Sequence, residues 1–407
     1  MKIDIKEIEG GVLAARGFRA AGVPARIKYE GRNDVALIFA DAPCSAAAVF
    51  TTNKVAAAPV VYDRAIAKGG CVQAILANSG CANACTGEDG YRDAELSALA
   101  TAGELGISPK HVMVASTGVI GRRLPMERLL AGMKAAKAAL GTSPDHAMAA
   151  ARAIMTTDTK PKHAAVQVMV GGKTITVGGM AKGSGMIEPN MATMLAFITT
   201  DAAISPMMLR RAVKLAVARS FNRIVVDGDE STNDSLFVMA SGVAGNATIS
   251  KAGEDFDAFL AGLEAVAVSL ARQMAADGEG ATKFVTVCVK GAKTQRDAER
   301  AARAVAKSPL AKTSWFGRDP NWGRVLAAVG YSGADVVDMK AEVFYGKEWA
   351  FKCGKVADEN QLARLAKVME LPELEITVDL HLGDCEAKIY TCDFSLDYVH
   401  INADYTT

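Results

Sequence analysis

Short apolar runs rich in Val, Ile and Ala recur along the chain and alternate with longer stretches in which apolar residues return every three or four positions. The short runs suit strands and the longer ones amphipathic helices, so the pattern predicts a mixed α/β protein with helices covering sheets. In the first half the predicted strands are 35–39, 72–77, 112–115, 164–170 and 174–177, each ending near Gly, Asn, Ser or Asp. The predicted helices there are 93–105, 126–140 and 145–153, the second opening with Pro125 at a suitable first-turn position. Beyond position 193 the pattern restarts, with strands at 194–198, 223–226, 236–240 and 284–289 and helices at 206–220 and 256–275. From Val336 onward it reads as strands and turns around one helix near 361–369. No repeat or low-complexity segment interrupts this order.

Between the two halves lies GGMAKGSGMIEPNMAT, residues 178–193, with Gly178, Gly179, Gly183 and Gly185 close together and Pro189 after them. Such a run tolerates unusual backbone angles and close approach of other groups. Taken alone it is a surface loop joining two strands, or a domain linker, and Lys182 within it is merely solvated.

Composition narrows the function classes. With 407 residues, 50% of them hydrophobic and 22% charged, the chain can bury a sizeable core and form two layers or two subdomains. Its 46 basic and 45 acidic residues leave a net charge of +1, with no field to gather nucleic acid or an anionic membrane, so a small-molecule partner is expected. Residues 1–18 mix Lys2, Asp4, Lys6, Glu7 and Glu9 with isolated apolar residues, unlike a secretory signal. No later apolar run approaches the roughly 18 residues of a membrane helix. The eight cysteines, scattered from Cys44 to Cys392, do not form the dense framework of a small secreted domain. These features predict a cytoplasmic protein.

Most familiar motifs fail. The Gly-Lys-Thr at 172–174 has Gln167 where a phosphate-binding loop needs its first glycine, and Gly278 and Gly280 in DGEGATK lack the third glycine of a dinucleotide site and follow a helix. The acidic DGDESTND at 227–234 carries Thr232 where a calcium loop turns on glycine, and reads as a polar turn. Cys81 and Cys85 have no second pair at metal-ligand spacing and read as structural thiols. His111, His146, His163, His381 and His400 stand in no recognisable catalytic signature. What remains are nucleophiles that bring another base, among them the N-terminal threonine.

Six segments, taken together, carry a resemblance: AKGSGMIEPNMATML at 181–195, STGVIG at 116–121, MTTDT at 155–159, DGEGATK at 277–283, GRDPNWGR at 317–324 and INADY at 401–405. In order and approximate spacing, across nearly the whole chain, they resemble the ornithine acetyltransferase family. The resemblance implies a four-layer αββα arrangement like that of amide hydrolases with an N-terminal nucleophile. It also implies a precursor that cuts itself between Ala192 and Thr193 into an α chain, 1–192, and a β chain, 193–407, which stay associated as α2β2. A hydroxyl at Thr193, a small residue at Ala192 and the glycine run suit that self-cleavage. The freed α-amino group, with an ordinary pKa of about 7.7–8.0, suits a general base near neutral pH.

By the same resemblance Thr117 and Gly118 are the oxyanion donors, and Thr156, Lys182, Thr193, Glu279, Asn402 and Thr407 bind substrate. Lysine, hydroxyl and amide groups can hold the α-carboxylate shared by N-acetylornithine and glutamate, and Glu279 can accept from an ammonium. The implied reaction moves acetyl from N-acetylornithine to glutamate, releasing ornithine and N-acetylglutamate, with no metal or organic cofactor; acetyl-CoA is a further acetyl donor in some members. Two positions depart from the family pattern, Cys81 in place of Asn and Thr406 in place of Arg, the latter weakening the transfer of a binding role to Thr407. The rivals are a self-processing aminopeptidase or amidase of the same architecture, and a non-catalytic assembly protein.

Overall fold

A computed structural model describes residues 3–188 and 194–404, and within them the short apolar runs pair into two sheets. Those of the larger sheet are β1 (Ile5–Ile8), β2 (Phe18–Val23), β3 (Val35–Phe50), β4 (Cys71–Asn78), β5 (Val112–Ser116), β6 (Lys162–Val170), β7 (Lys173–Lys182), β8 (Leu195–Thr200) and β9 (Ser235–Ala240). They lie in the order β1-β6-β7-β8-β9-β3-β4-β5, with β2 added on β3. The smaller sheet takes β10 (Phe284–Ala292), β11 (Glu342–Tyr345), β12 (Glu348–Lys352), β13 (Lys355–Val356), β14 (Glu373–Asp379) and β15 (Cys385–Cys392), in the order β13-β12-β11-β14-β10-β15.

Alternation along β6–β9 decides which helices cover which face. Val166, Val177, Ile198 and Val238 meet the apolar sides of helices Pro206–Arg219 and Glu254–Ala276. Leu195, Phe197 and Phe237 turn the other way, toward Ala147, Ala150 and Ala151 of helix Pro144–Ala153. Further along, Leu37, Leu76 and Val114 pack against Ala94 and Ala98 of helix Gly87–Leu105 and Leu129 and Met133 of helix Met126–Ala138. In the smaller sheet Val285, Val287, Ile376 and Val378 face Ala298, Ala301, Ala302 and Val305 of helix Gln295–Lys307. Each fully buried Val, Leu or Phe contributes roughly 1.5–3 kcal/mol, so tertiary packing dominates what holds these elements. The α/β class expected from the pattern is the class observed.

Several expectations need correction. Residues 178–182 are not a loop but the second half of β7, and the glycines there permit close packing: a Cβ on Gly178 would lie 2.0 Å from the Gly11 carbonyl oxygen. Residues 223–226 form no strand; a 3-10 turn at Phe221–Arg223 leads into a single bridge from Ile224 to Tyr390. β3 runs far beyond 35–39, because Asp41, Ala42 and Pro43 break its apolar rhythm where its pairing with β4 slips between Phe39 and Cys44. After the predicted helix near 361–369, observed at Glu359–Met369, a second one follows at Leu396–Asp404 and carries Asn402. Helix Glu254–Ala276 is also long and apolar enough to cross a membrane, yet its apolar residues are buried against the larger sheet.

Candidate active site

Strand register builds one wall of the site. Lys182 ends β7 opposite Leu195, the first residue of β8, and Leu195 pairs in turn with Ser235, the first of β9. Three strand ends are therefore level at one edge of the sheet. The loop after β5 joins them through Asn233, whose amide donates to the carbonyls of Ala82 at 2.6 Å and Ser116 at 2.8 Å. At this edge lies a cavity of about 110 Å³ lined by Thr117, Gly118, Thr156, Lys182, Glu279 and Asn402, together with Met194, Asn233 and Asp234. Ala192, Thr193 and Thr407 lie outside the described residues; Met194, the residue that follows Thr193 in the chain, is part of the lining.

The loop carrying Thr117 and Gly118 is fixed from below. Asn78 receives the Thr117 N–H on its carbonyl at 3.0 Å and the Ser116 hydroxyl on its side-chain oxygen at 2.7 Å, while its amide donates to the Cys81 carbonyl at 2.9 Å. With its N–H so engaged, Thr117 has its hydroxyl left to offer to the cavity. Gly118 has φ of 131°, and a Cβ there would lie 2.4 Å from the Gly80 carbonyl carbon, so glycine is required by both conformation and space. Its N–H meets no acceptor among the described residues. Thr117, with a hydroxyl, and Gly118, with an N–H, thus line the same cavity as adjacent residues.

Opposite them, Glu279 is buried and accepts a hydrogen bond from the Asn402 amide at 2.8 Å. Gly185 lets the backbone pass this carboxylate, since a Cβ on it would come 2.4 Å from the Glu279 carboxyl carbon. Before the undescribed residues 189–193, Asp227 straps the chain by accepting the N–H groups of Met186 at 2.6 Å and Ile187 at 2.7 Å. Met186 is held at φ of 56°, a left-handed conformation that is unusual for a long side chain. The acidic stretch 227–234, read from sequence as a polar turn, is thus the piece that ties the chain before the cavity to the loop after β5.

The site also contains a charge network that sequence reasoning missed. Lys162 is buried with its ammonium 2.6 Å from both Asp158 and Asp277. Asp158 further accepts the N–H groups of Gly183 at 2.7 Å and Thr156 at 3.0 Å, and lies 4.0 Å from the Lys182 ammonium. Burial would raise the pKa of Asp158, but Lys182, Lys162 and the hydrogen bonds from Lys162 and Gly183 outweigh it and pull it down to about 2. Burial pushes Lys182 down from the ordinary lysine range, a trend that Asp158, Glu279 and Asp234 oppose and Lys162 reinforces. Asp158 and Lys162 lie four residues apart in MTTDTKPKH, whereas Asp277 in DGEGATK is 115 residues beyond Lys162, and nothing in their local pattern marks the three as partners.

The Asp158 carboxylate has a consequence for stability against pH. Its pKa is lower in the folded chain than in the unfolded one, so its contribution is complete above the ordinary value of 3.8 and is lost as pH falls through about 2. The destabilisation caused by Asp158→Asn, measured by urea unfolding, should therefore stay constant from about pH 7 to about pH 5 and shrink as pH falls from about 4 toward about 2.

A family model described as the ArgJ family matches residues 19–407. The chain belongs to the ArgJ family. It is 52% identical over 402 residues to the arginine biosynthesis bifunctional protein ArgJ of Symbiobacterium thermophilum, covering 98% of this chain and 99% of that protein. It is 44% identical over 408 residues to the glutamate N-acetyltransferase of Methanosarcina mazei, covering 99% of this chain and all of that one. Among solved structures it is similar to an ornithine acetyltransferase complexed with ornithine from Mycobacterium tuberculosis, at 41% identity, 47% of this chain, 100% of that chain and a TM-score of 0.43. In this ArgJ-family chain Cys81 is buried and its thiol donates to the Arg122 carbonyl at 3.3 Å, behind the Thr117 loop and not in the cavity lining. Thr406, the other departure from the family pattern, lies outside the described residues.

Proposed function

We propose that this chain cuts itself before Thr193 and then transfers acetyl from N-acetylornithine to glutamate through an acetyl ester on that residue. The observation that carries the reading is the convergence of Thr117, Gly118, Thr156, Lys182, Glu279 and Asn402 on one cavity that Met194 also lines. The names of the 52% and 44% identical relatives favour the same reaction.

The Thr193 hydroxyl oxygen attacks the acetyl carbonyl carbon while the α-amino group takes its proton. Negative charge gathers on the carbonyl oxygen, where the Thr117 hydroxyl and the Gly118 N–H donate to it. The carbon–nitrogen bond then breaks, the proton passes to the departing amine, and ornithine leaves. The amine of glutamate attacks the ester carbonyl and gives up a proton to the α-amino base, the acyl carbon–oxygen bond breaks, and that proton returns to the Thr193 oxygen as N-acetylglutamate departs. Lys182 and Thr156 hold the α-carboxylate common to both substrates, Glu279 with its Asn402 partner meets the ammonium of ornithine, and Thr407 completes the binding set. Nucleophile, base and anion donors all come from the chain, so the steps call for no metal or organic cofactor. Acetyl-CoA is a second acetyl donor to test.

After the cut the chains hold one another, because β8 and β9 from 193–407 lie between β7 and β3 from 1–192. The Lys162–Asp277 ion pair crosses the same boundary. The proposed assembly is α2β2, and balanced charge with dispersed thiols favours the cytoplasm. Purified protein should yield fragments of 192 and 215 residues that together make up the 407, inseparable without denaturant. It should also exchange labelled ornithine into N-acetylornithine when glutamate is absent. Intact mass spectrometry and the exchange assay check both; a whole chain that exchanges no label would refute the reading.

A further inference from the structure

We propose that Asp158 and Lys182 form a relay that aims and strengthens the Thr117 hydroxyl as an anion-stabilising donor, making Asp158 a positioning residue for acyl transfer. The inference rests on the reaction proposed above and assigns Lys182 a second task besides holding a substrate carboxylate.

The geometry starts at Thr117. Its N–H is committed to Asn78, and the Lys182 ammonium lies 3.4 Å from its hydroxyl oxygen, placed to donate to it. A threonine oxygen that accepts from an ammonium keeps one lone pair occupied, so its own proton points elsewhere. The cavity is the space Thr117 lines. An oxygen that accepts from a cation is also a better donor, since linked hydrogen bonds reinforce one another by perhaps 10–30% each. Lys182 has three N–H groups; Thr117 accepts from one at 3.4 Å, Asp158 acts on the ammonium as an ion-pair partner at 4.0 Å, and N–H groups remain for a bound carboxylate.

Asp158 is the fixed point. It is buried, and its two oxygens are held by Lys162, Gly183 and Thr156 besides facing Lys182. The network balances, with Lys162 and Lys182 set against Asp158 and Asp277. The charged groups that face Lys182 are Asp158, Lys162, Glu279 and Asp234. Without Asp158, Lys162 keeps Asp277 as its partner and still repels Lys182, whose remaining facing carboxylates are Glu279 and Asp234. Lys182 is then drawn toward Glu279 and Asp234, away from Thr117, and loses its proton at a lower pH.

A relay and a plain carboxylate clamp differ in measurable ways. If Lys182 only clamps substrate, Lys182→Met raises KM, leaves the chemical step alone and adds independently to Thr117→Ala. If it acts through Thr117, Lys182→Met slows single-turnover acetylation of Thr193 by about 10–100-fold in the parent but by less than about 3-fold in the Thr117→Ala background. Asp158→Asn should move the alkaline limb of that acetylation rate to lower pH. Should Asp158→Asn not fold, Asp158→Glu keeps the charge but shifts it by one methylene, and its loss should likewise vanish beside Thr117→Ala.

The rates are read by mass on the 193–407 fragment of processed protein, per mole of two-chain enzyme, from N-acetylornithine. Non-additive effects of Lys182→Met and Thr117→Ala, with the shifted limb, are expected. Additive effects in a parent that acetylates normally would overturn the relay alone. A parent that forms no acetyl-Thr193 would overturn the proposed reaction and the relay with it.

Discussion

Replacing Thr193 with Ala should leave a single uncut chain and reduce acetyl transfer by more than about 10⁴-fold, because one residue supplies both the nucleophile and, once freed, the base. Thr193→Ser should still cut and still transfer, since it keeps a hydroxyl that can attack the preceding carbonyl. The two substitutions separate the roles: alanine removes the hydroxyl and with it the cut that frees an amine, whereas serine removes only a methyl group. For the serine form and the parent alike, the rate should rise with pH as the α-amino group loses its proton, near pH 8 if that group keeps its ordinary pKa of about 7.7–8.0. Gel mobility, intact mass and labelled exchange read all of this on the same samples. An alanine variant that cuts normally would mean another nucleophile.

The second large effect is expected at Thr117. Thr117→Ala should lower the rate of acetylation by roughly 100- to 1000-fold, the usual loss for one anion donor. The fold should be little affected, because the hydroxyl that is removed belongs to a cavity-lining residue and has, among the described residues, only the long 3.4 Å contact with Lys182, while the N–H that anchors the loop on Asn78 stays. Turnover and thermal unfolding measured together decide this. Unchanged turnover in a destabilised protein would make Thr117 a structural residue and return the anion to the Gly118 N–H alone.

How much of this was legible in the sequence depended on distance along the chain. Strands 72–77, 112–115 and 164–170 were readable because their apolar runs are bounded by turn residues, and β4, β5 and β6 match them closely. Helix Gln295–Lys307 goes beyond the expectations above although Ala298, Ala301, Ala302 and Val305 follow helical spacing; its inner face is mostly alanine, a weak apolar signal among many charges. The glycines of β7 suggest a loop on local grounds, and only the turn at Gly11–Leu13, brought against Gly178, explains them as strand residues. The same holds for the site. Thr117, Gly118, Thr156, Lys182, Glu279 and Asn402 came from a resemblance, whereas their common cavity came from register and topology. Asp158, Lys162 and Asn233 carry no local mark, since a buried carboxylate or amide is recognisable only by the partners that folding brings to it.

An acetyl ester on Thr193 serves an amidase as well as an acetyltransferase, so the fate of that ester separates the two. Glutamate seated where ornithine leaves presents its amine at high effective concentration, an advantage water lacks. The direct measurement is the partition of products from N-acetylornithine at saturating glutamate. Mostly N-acetylglutamate, with slow release of acetate, is the expected result; mostly free acetate would contradict it and make this ArgJ-family chain a hydrolase.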